Sequence, residues 1–313
     1  MSHATQRQMH ISAALSNLAI GYVNDELRGL ELAPRFTVHK EDGKIRVLKK
    51  DGMRIEQTIW ANGSPTPRSK WGFGTDITYS LTAHALAEVV TRREQANADL
   101  LGVAIQPAVK AVRTLTDKLA VELEADIASL LTTAGNYGTA NKKTLSGSSQ
   151  WSDAASDPVG NLTTAVDAVH DATGKRPNVL ALPWKVFIQL RQHPAITSQY
   201  VYTSGGVLQP DQIGQVVGIP RTVVLASVKN TAKQGAADAL TDVWGKFALV
   251  AFVDPNPQGE TATLAVTFSK DPVRMVDSWP DEDSDGTVYR ARDMYQAKGI
   301  DFGCGYLFTT AVA

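Results

Sequence analysis

Asp281-Glu282-Asp283-Ser284-Asp285-Gly286 is the run whose residue types and spacing come nearest to a recognised chemistry. Acidic residues at the first, third and fifth positions, then glycine at the sixth, match the first half of a calcium-binding EF-hand loop. That loop closes with a bidentate carboxylate at its twelfth position, and Arg292 stands there. Thr287-Val288-Tyr289-Arg290, directly after it, has the composition of a strand rather than a helix. The run is expected to be an acidic, solvated turn, with incidental cation binding at Asp281–Asp285 left open.

The remaining candidates fail on spacing. The six histidines, His3, His10, His39, His84, His170 and His193, include no pair at metal-ligand separation. Cys304 has no second cysteine to share a structural zinc and no local histidine base, so a small buried residue between Gly303 and Gly305 is the better reading. Gly147-Ser148-Ser149-Gln150-Trp151 carries tryptophan where a nucleophile elbow needs its second glycine. Gly72-Phe73-Gly74 lacks the third glycine of a dinucleotide fingerprint, and no phosphate-loop lysine motif occurs. No catalytic, cofactor-binding or metal-ligating residue is nominated, and the chain is not expected to be an enzyme.

The elements that would position such residues point elsewhere. The length, 313 residues, suits two domains or one large irregular one. With 31 basic and 32 acidic residues the formal net charge is -1, which gives no footprint of a dedicated nucleic-acid binder. A lone cysteine excludes an intrachain disulfide and fits a reducing compartment. Apolar runs such as Phe247–Val253 are far shorter than a membrane span. Ser12, Ser16 and Asn17 interrupt Ile11–Ile20, so no signal peptide is read.

Along the chain, Ser12–Leu30 reads as a short amphipathic helix or ordered arm. Phe36–Lys40 and Lys44–Leu48 alternate as strands, with Glu41-Asp42-Gly43 as a hairpin turn between them. Lys49–Thr75 is about 27 residues without core periodicity, longer than a compact domain tolerates unless the loop has a task. Trp60 and Trp71 lie in it with little to bury them, and tryptophan is enriched at interfaces. The pair Lys49-Lys50 reads most simply as a solvated hairpin end. A long helical stretch is expected over Leu81–Thr133, with a new helix starting at Pro107. In that helix Val112, Leu115, Leu119, Leu123, Ile127 and Leu130 form one apolar face, roughly 40 Å long and directed at the core.

The middle alternates. Helix Val159–Ala172 ends at Gly174, Asn178–Leu182 is a buried strand, a helix opens at Pro183, and a short helix follows Pro210. Strands are expected at Thr222–Ala226 and Phe247–Val253. The tail is β-rich, at Thr263–Phe268, Thr287–Tyr295 and Tyr306–Val312. The fold class is α+β rather than a doubly wound parallel sheet.

In this order the pieces resemble tailed-bacteriophage major capsid proteins of the Hong Kong 97 fold. The resemblance covers nearly the whole chain. It rests on Leu18–Tyr22, on Val38–Lys44, on Arg54–Thr58 and on Arg92–Ala98. The most telling pieces are Thr173-Gly174-Lys175-Arg176-Pro177-Asn178-Val179-Leu180-Ala181-Leu182 and Leu190–Ile196, followed by Gly218-Ile219-Pro220 and Val243-Trp244-Gly245. It implies an N-terminal arm at 1–36 and an E-loop hairpin at 37–77 that lies over a neighbouring subunit. It further implies a peripheral domain at 78–160 and 264–313 with a long spine helix, and an axial domain at 161–263. The intersubunit residues it implies in the E-loop are Lys49, Lys50, Arg54, Trp60, Arg68, Lys70 and Trp71. Such subunits self-assemble as pentamers and hexamers into an icosahedral shell around double-stranded DNA. They work with scaffold, portal and decoration proteins, touch DNA non-specifically and need no membrane. The virion is the implied location, with assembly in the host cytoplasm.

Two departures qualify the resemblance. No long acidic helical segment stands before the arm, so a separate scaffold, prior cleavage or no scaffold all stay open. Some relatives crosslink an E-loop lysine to a neighbour's asparagine; Lys49, Lys50 and Lys70 occupy that region, but lysine is common in any exposed loop. An encapsulin-type nanocompartment, which shares the fold and holds cargo enzymes, is the alternative. A pocketed α/β enzyme built on Asn178–Leu182 and Phe247–Val253 lacks an acid, base, nucleophile or metal constellation.

Overall fold

The structure is a computed structural model that describes residues 10–11, 15–16, 18–19, 24–48, 55–56, 58–69, 73–101, 106–200, 208–233, 235–257 and 262–313. In chain order the first part holds β1 (His10–Ile11), a 3-10 turn at Gly29–Glu31, β2 (Arg35–Val38), β3 (Asp42–Leu48), β4 (Phe73–Ser80) and β5 (Thr82–Thr91). Helices α1 (Arg92–Leu101) and α2 (Pro107–Thr132) follow, then β6 (Lys142–Thr144), α3 (Pro158–Thr173) and β7 (Val179–Pro183). Next come α4 (Trp184–Gln192), α5 (Pro194–Tyr200), α6 (Pro210–Gln215), β8 (Arg221–Leu225), β9 (Val228–Asn230), β10 (Leu240–Asp242) and β11 (Ala248–Ala251). The last are β12 (Ala265–Lys270), β13 (Met275–Asp281), β14 (Gly286–Gly299) and β15 (Gly305–Thr309).

Helix α2 is the strut. Pro107 sits in its first turn, where a missing N–H costs nothing, and Gln106 before it is extended, with φ -61° and ψ 140°. Its buried stripe, Val112, Leu115, Leu119, Leu123, Ile127 and Leu131, recurs at three- and four-residue steps, with Leu131 in place of the expected Leu130, which is only partly buried. The far end is closed by side chains that satisfy its last carbonyls. Thr132 and Thr133 hydroxyls reach back to Ala128 O and Ser129 O at 2.8 and 2.6 Å, and Tyr137 Oη donates to Leu131 O at 2.8 Å.

The stripe serves two sheets in succession. Its first turns cover a six-stranded sheet ordered β1-β13-β14-β12-β2, with β5 also paired to β14. Val112 packs with Val276 and Tyr289, and Leu115 and Leu119 meet Ala291. Leu123, Ile127 and Leu131 enter the core of a five-stranded sheet ordered β6-β15-β11-β7-β8. That sheet is covered on both faces. Val179 and Ala181 of β7 face α2, whereas Leu180 and Leu182 face α3 and α4 through Leu162, Val169, Val186 and Leu190. Burial on both faces explains why β7 is apolar throughout rather than alternating. Asp157 caps α3 by accepting from Gly160 N at 2.8 Å, and Gly174 ends it in the left-handed region at φ 68°.

Three expectations need correction. The stretch from Leu81 is not helical from its start. Thr82–Thr91 is a strand laddered antiparallel to β14 from Thr82↔Tyr295 to Thr91↔Gly286, and helix begins only at Arg92. Only Val90 of this strand is buried. With neither face fully covered, no period-2 pattern was selected, and the alanines mimicked a helix.

The strands on either side of Glu41-Asp42-Gly43 do not pair with each other. β2 pairs parallel with β12, and β3 pairs antiparallel with β4, some thirty residues onward. The turn residues mark a transfer between two sheets.

Finally, the segment 264–313 is divided. β12–β14 belong to the six-stranded sheet, but β15 lies between β6 and β11 in the other. β15 is wholly apolar except at its end, and it pairs where an apolar strand can be covered on both faces.

Candidate assembly surfaces

The β3–β4 hairpin is built as a projecting arm. Its strands run from Asp42↔Ser80 to Leu48↔Phe73, with an irregularity between Arg46 and Leu48 that adds twist. The root is fixed to the six-stranded sheet. Tyr79 stacks on Phe268 with ring centres 4.7 Å apart, and Phe36 meets the same ring edge-on at 5.8 Å. Leu81 N donates to Glu41 O at 2.7 Å, Ser80 N donates to Gln296 Oε1 at 3.0 Å, and Lys270 pairs with Glu41.

Beyond the root, every described residue of 55–69 is exposed. Ile55, Ile59 and Trp60 are 98%, 80% and 59% exposed, the heaviest apolar exposure of any short segment described. The tip is nonetheless organised. Ser64 N and Oγ both donate to Ala61 O, at 3.1 and 2.8 Å, and Trp60 Nε1 donates to Ser64 O at 2.6 Å. Gly63 holds the left-handed conformation, φ 85°, that this turn requires. Of the loop residues singled out from sequence, Trp60 and Arg68 are described and exposed; Lys49, Lys50, Arg54, Lys70 and Trp71 lie outside the described residues.

A second surface is the face of the six-stranded sheet turned away from α2. Asp277 is fully buried there, with Arg290 Nη2 at 2.8 Å and Arg292 Nε at 3.2 Å. Arg290 also lies over the Trp279 ring at 5.2 Å. Beside the arginines, a groove of about 390 Å³ is lined in part by Ala83, Ala85, Pro272, Met275 and Met294. Ala83, Ala85 and Ala87 of β5 are exposed on the same face. A third surface, not singled out from sequence, is the β9–β10 hairpin. Leu240 and Val228 are exposed on it, and Lys185 Nζ of α4 pairs with Asp242 at 2.6 Å beside the half-exposed Trp184. Its sequence signal is the small-residue and polar linker 231–239, rich in alanine, between two short strands.

Behind these surfaces, one buried carboxylate ties the N-terminal part to the rest. Glu124, on α2, accepts from Gly29 N at 2.7 Å, Trp244 Nε1 at 2.6 Å and Ser227 Oγ at 3.2 Å. Burial pushes its carboxyl above the ordinary glutamate range, and the hydrogen bonds from Trp244, Gly29 and Ser227 offset part of that rise. Gly29 is required here, since a Cβ would stand 2.5 Å from Glu124 Oε2.

The residues examined for chemistry fall into structural roles. Asp281–Gly286 is the turn between β13 and β14, and Arg292, at the position where a calcium loop needs a carboxylate, faces Asp277 in the strand. Cys304 is buried. His193 and Ser156 lie 3.2 Å apart, a pair sequence reading missed. They do not form a base and nucleophile. His193 Nδ1 accepts from Ala195 N at 3.2 Å, which leaves the proton on Nε2, and Nε2 lies 3.0 Å from Asp153 O as its donor. Ser156 Oγ donates to Asp153 O at 2.8 Å. Among the described residues no group of three or more His, Cys, Asp or Glu could hold a metal ion.

A family model for phage capsid protein matches residues 70–307. The major capsid protein of Burkholderia phage BcepMu is 27% identical over 304 residues, 96% of each chain. A phage-related protein from Bordetella bronchiseptica RB50 superposes with a TM-score of 0.78 at 26% identity, over 96% of this chain and 97% of that one. The asymmetric unit of the bacteriophage PhiM1 mature capsid superposes at 0.57 with 12% identity, over 92% and 87%, a likeness of fold. With the strut helix, the projecting hairpin and the two sheets in this arrangement, the chain has the Hong Kong 97 fold and belongs to the phage capsid protein family.

Proposed function

We propose that this chain is the major shell subunit of a virion and that it acts by assembly, not catalysis. The observation that carries the reading is the hairpin tip. Ile55, Ile59 and Trp60 stand in solvent on an arm whose root is fixed, while the subunit's cores are closed. Apolar side chains concentrated on one projecting arm mark an interaction site, and a second copy of the chain supplies the surface that covers them. Trp60 and Arg68, with Lys49, Lys50, Arg54, Lys70 and Trp71 of the same loop, are the residues we assign to that contact.

On this reading 1–36 is the arm and 37–77 the E-loop. The peripheral unit is centred on the six-stranded sheet. The axial unit is centred on the five-stranded sheet and takes in β6 and β15, so on this reading both 78–160 and 264–313 contribute to it. Pentamers and hexamers close into an icosahedral shell around double-stranded DNA. A net charge of -1 suits non-specific contact with DNA that is driven in by a separate motor. Scaffold, portal and decoration proteins and assembly in the host cytoplasm complete the reading. The family match and the capsid relatives support a phage shell over a cargo-holding compartment.

Light scattering and negative-stain microscopy of the purified protein test it. Closed shells, or capsomers that lead to them, are expected. Persistent monomer across concentration, salt and added scaffold would overturn it.

A further inference from the structure

Asn62-Gly63 is the one Asn-Gly pair in the chain, and it lies at the tip of the projecting hairpin. Asparagine followed by glycine is the pair most prone to intramolecular imide formation, because no Cβ hinders approach to the glycine nitrogen. Three features of this turn leave the reaction open. Both residues are exposed. The turn's hydrogen bonds are made by Ser64 N, Ser64 Oγ and Trp60 Nε1, so Gly63 N is not engaged by them. A Cβ at Gly63 would meet nothing within 4 Å among the described residues, so none of them shields the site.

We propose that Asn62 is a spontaneous modification site at which the side-chain amide becomes a carboxylate. Gly63 N, losing its proton to solvent base, attacks Asn62 Cγ. The new N–C bond closes a five-membered succinimide, the Cγ–Nδ2 bond breaks, and ammonia leaves. Water then opens the imide at one of its two carbonyls. One opening gives aspartate; the other gives isoaspartate, whose main chain carries one extra carbon between the two residues. The sum is amide plus water giving carboxylate plus ammonia, with no oxidant, reductant or cofactor.

The consequence for assembly rests on the reading of this hairpin as an intersubunit contact. Either product puts a negative charge beside Ile59 and Trp60. Isoaspartate also displaces Ser64 O relative to Trp60 Nε1, and so unmakes the turn that presents the indole. A modified tip carries a charge that a neighbour would have to desolvate, so a subunit that has aged unassembled is a poorer recruit than a fresh one.

The test uses the purified full-length protein, unassembled, held at 37 °C at pH 6.5, 7.5 and 8.5. Peptide mass spectrometry follows the gain of about one dalton, and isoaspartyl methyltransferase labelling follows the rearranged product. Asn62 should convert at least tenfold faster than any other asparagine and faster at higher pH, since the attacking nitrogen must lose a proton. Conversion no faster than at Asn136 or Asn256, or no dependence on pH, would overturn the proposal. The assembly consequence has its own readout. The Asn62→Asp variant should keep the wild-type circular dichroism and give several-fold fewer shells. Normal assembly of that variant alongside rapid conversion of Asn62 would refute the hairpin contact and leave the modification site standing.

Discussion

Trp244 donates its indole N–H to Glu124 Oε1 at 2.6 Å, joining the loop after β10 to the strut helix from a position 120 residues away. Glu124 Oε2 meanwhile receives Gly29 N, so the two oxygens of one carboxylate clamp the N-terminal part and the five-stranded sheet to the same turn of α2. Among the described residues no arginine or lysine side chain forms an ion pair with Glu124; the backbone of Arg28 adds to its hydrogen bonding. Its strength lies in neutral donors converging on a buried carboxyl group, an arrangement in which losing the acceptor costs more than the bonds were worth.

Glu124→Ala should therefore be severe. Three buried donors lose their partner, at about 1–3 kcal/mol each, which approaches the 5–15 kcal/mol margin of a typical domain. Glu124→Gln, of equal size, serves as the comparison for pH. The folded-state pKa of Glu124 is raised, so its stabilising contribution is fully present below the unfolded value and is lost as pH rises through the folded value. Urea midpoints of the unassembled wild type should fall relative to Glu124→Gln across that window. A relative rise would show the sign to be wrong.

Leu119→Asp should destroy the subunit before assembly is at issue. The side chain is buried against Leu115 and Ala291 between α2 and β14, and an unpaired carboxylate there costs several kcal/mol. Leu119→Met, nearly equal in volume, should lose less than about 1.5 kcal/mol. Solubility and thermal melts of the two variants decide the matter; a soluble, assembling aspartate variant would refute burial of this face.

Removing residues 55–69, or replacing both Ile59 and Trp60 by serine, should have the opposite profile. These side chains contact little within the subunit, so stability should move by no more than about 0.5 kcal/mol for the serine pair. Shell yield should fall sharply. Circular dichroism and microscopy on one preparation separate the outcomes, and an unfolded serine variant would mean that the tip belongs to the subunit's own core.

Asp277→Asn tests the surface turned away from α2. It leaves Arg290 and Arg292 facing a neutral amide, and hydrogen bonds to charged groups are worth about 1.5–3 kcal/mol, so a loss of about 2 kcal/mol is expected. Both arginine side chains are part-exposed, but Arg292 Nε, the atom that faces Asp277, is itself buried, so part of the loss is expected there. Chemical denaturation of the unassembled protein gives the figure directly; no loss would assign the pair to solvent.

Sequence reading reached the parts of this fold whose burial is one-sided or complete. The α2 stripe is written in spacing, because a covered face selects apolar residues at a fixed period, whereas the strands around Leu180, Leu249 and Leu307 show as unbroken apolar runs because both faces are covered, and Gly174 marks a left-handed stop. β5 was misread because its pairing with β14 is held by backbone hydrogen bonds, which leave no trace in side-chain type. The partners of β2 and β3 were misread because β2 pairs with a strand over two hundred residues away. At the candidate site, Trp60 was visible as an aromatic with no local partner. The Glu124 clamp and the Asp277 cluster were not, since each depends on residues that only the tertiary fold brings together.

β15 carries a further implication for the order of events on the ribosome. It occupies an interior lane of its sheet, bonded to β11 on one side and β6 on the other, and Leu307 and Phe308 fill opposite cores. Until residue 309 has emerged, β6 and β11 have an empty lane between them, and half of each core lacks its plug. The hairpin tip, by contrast, is made within the first quarter of translation. The root of that hairpin waits on the same late chain, since Phe268, Lys270 and Gln296 fix it, so the arm gains its footing only as the body is completed.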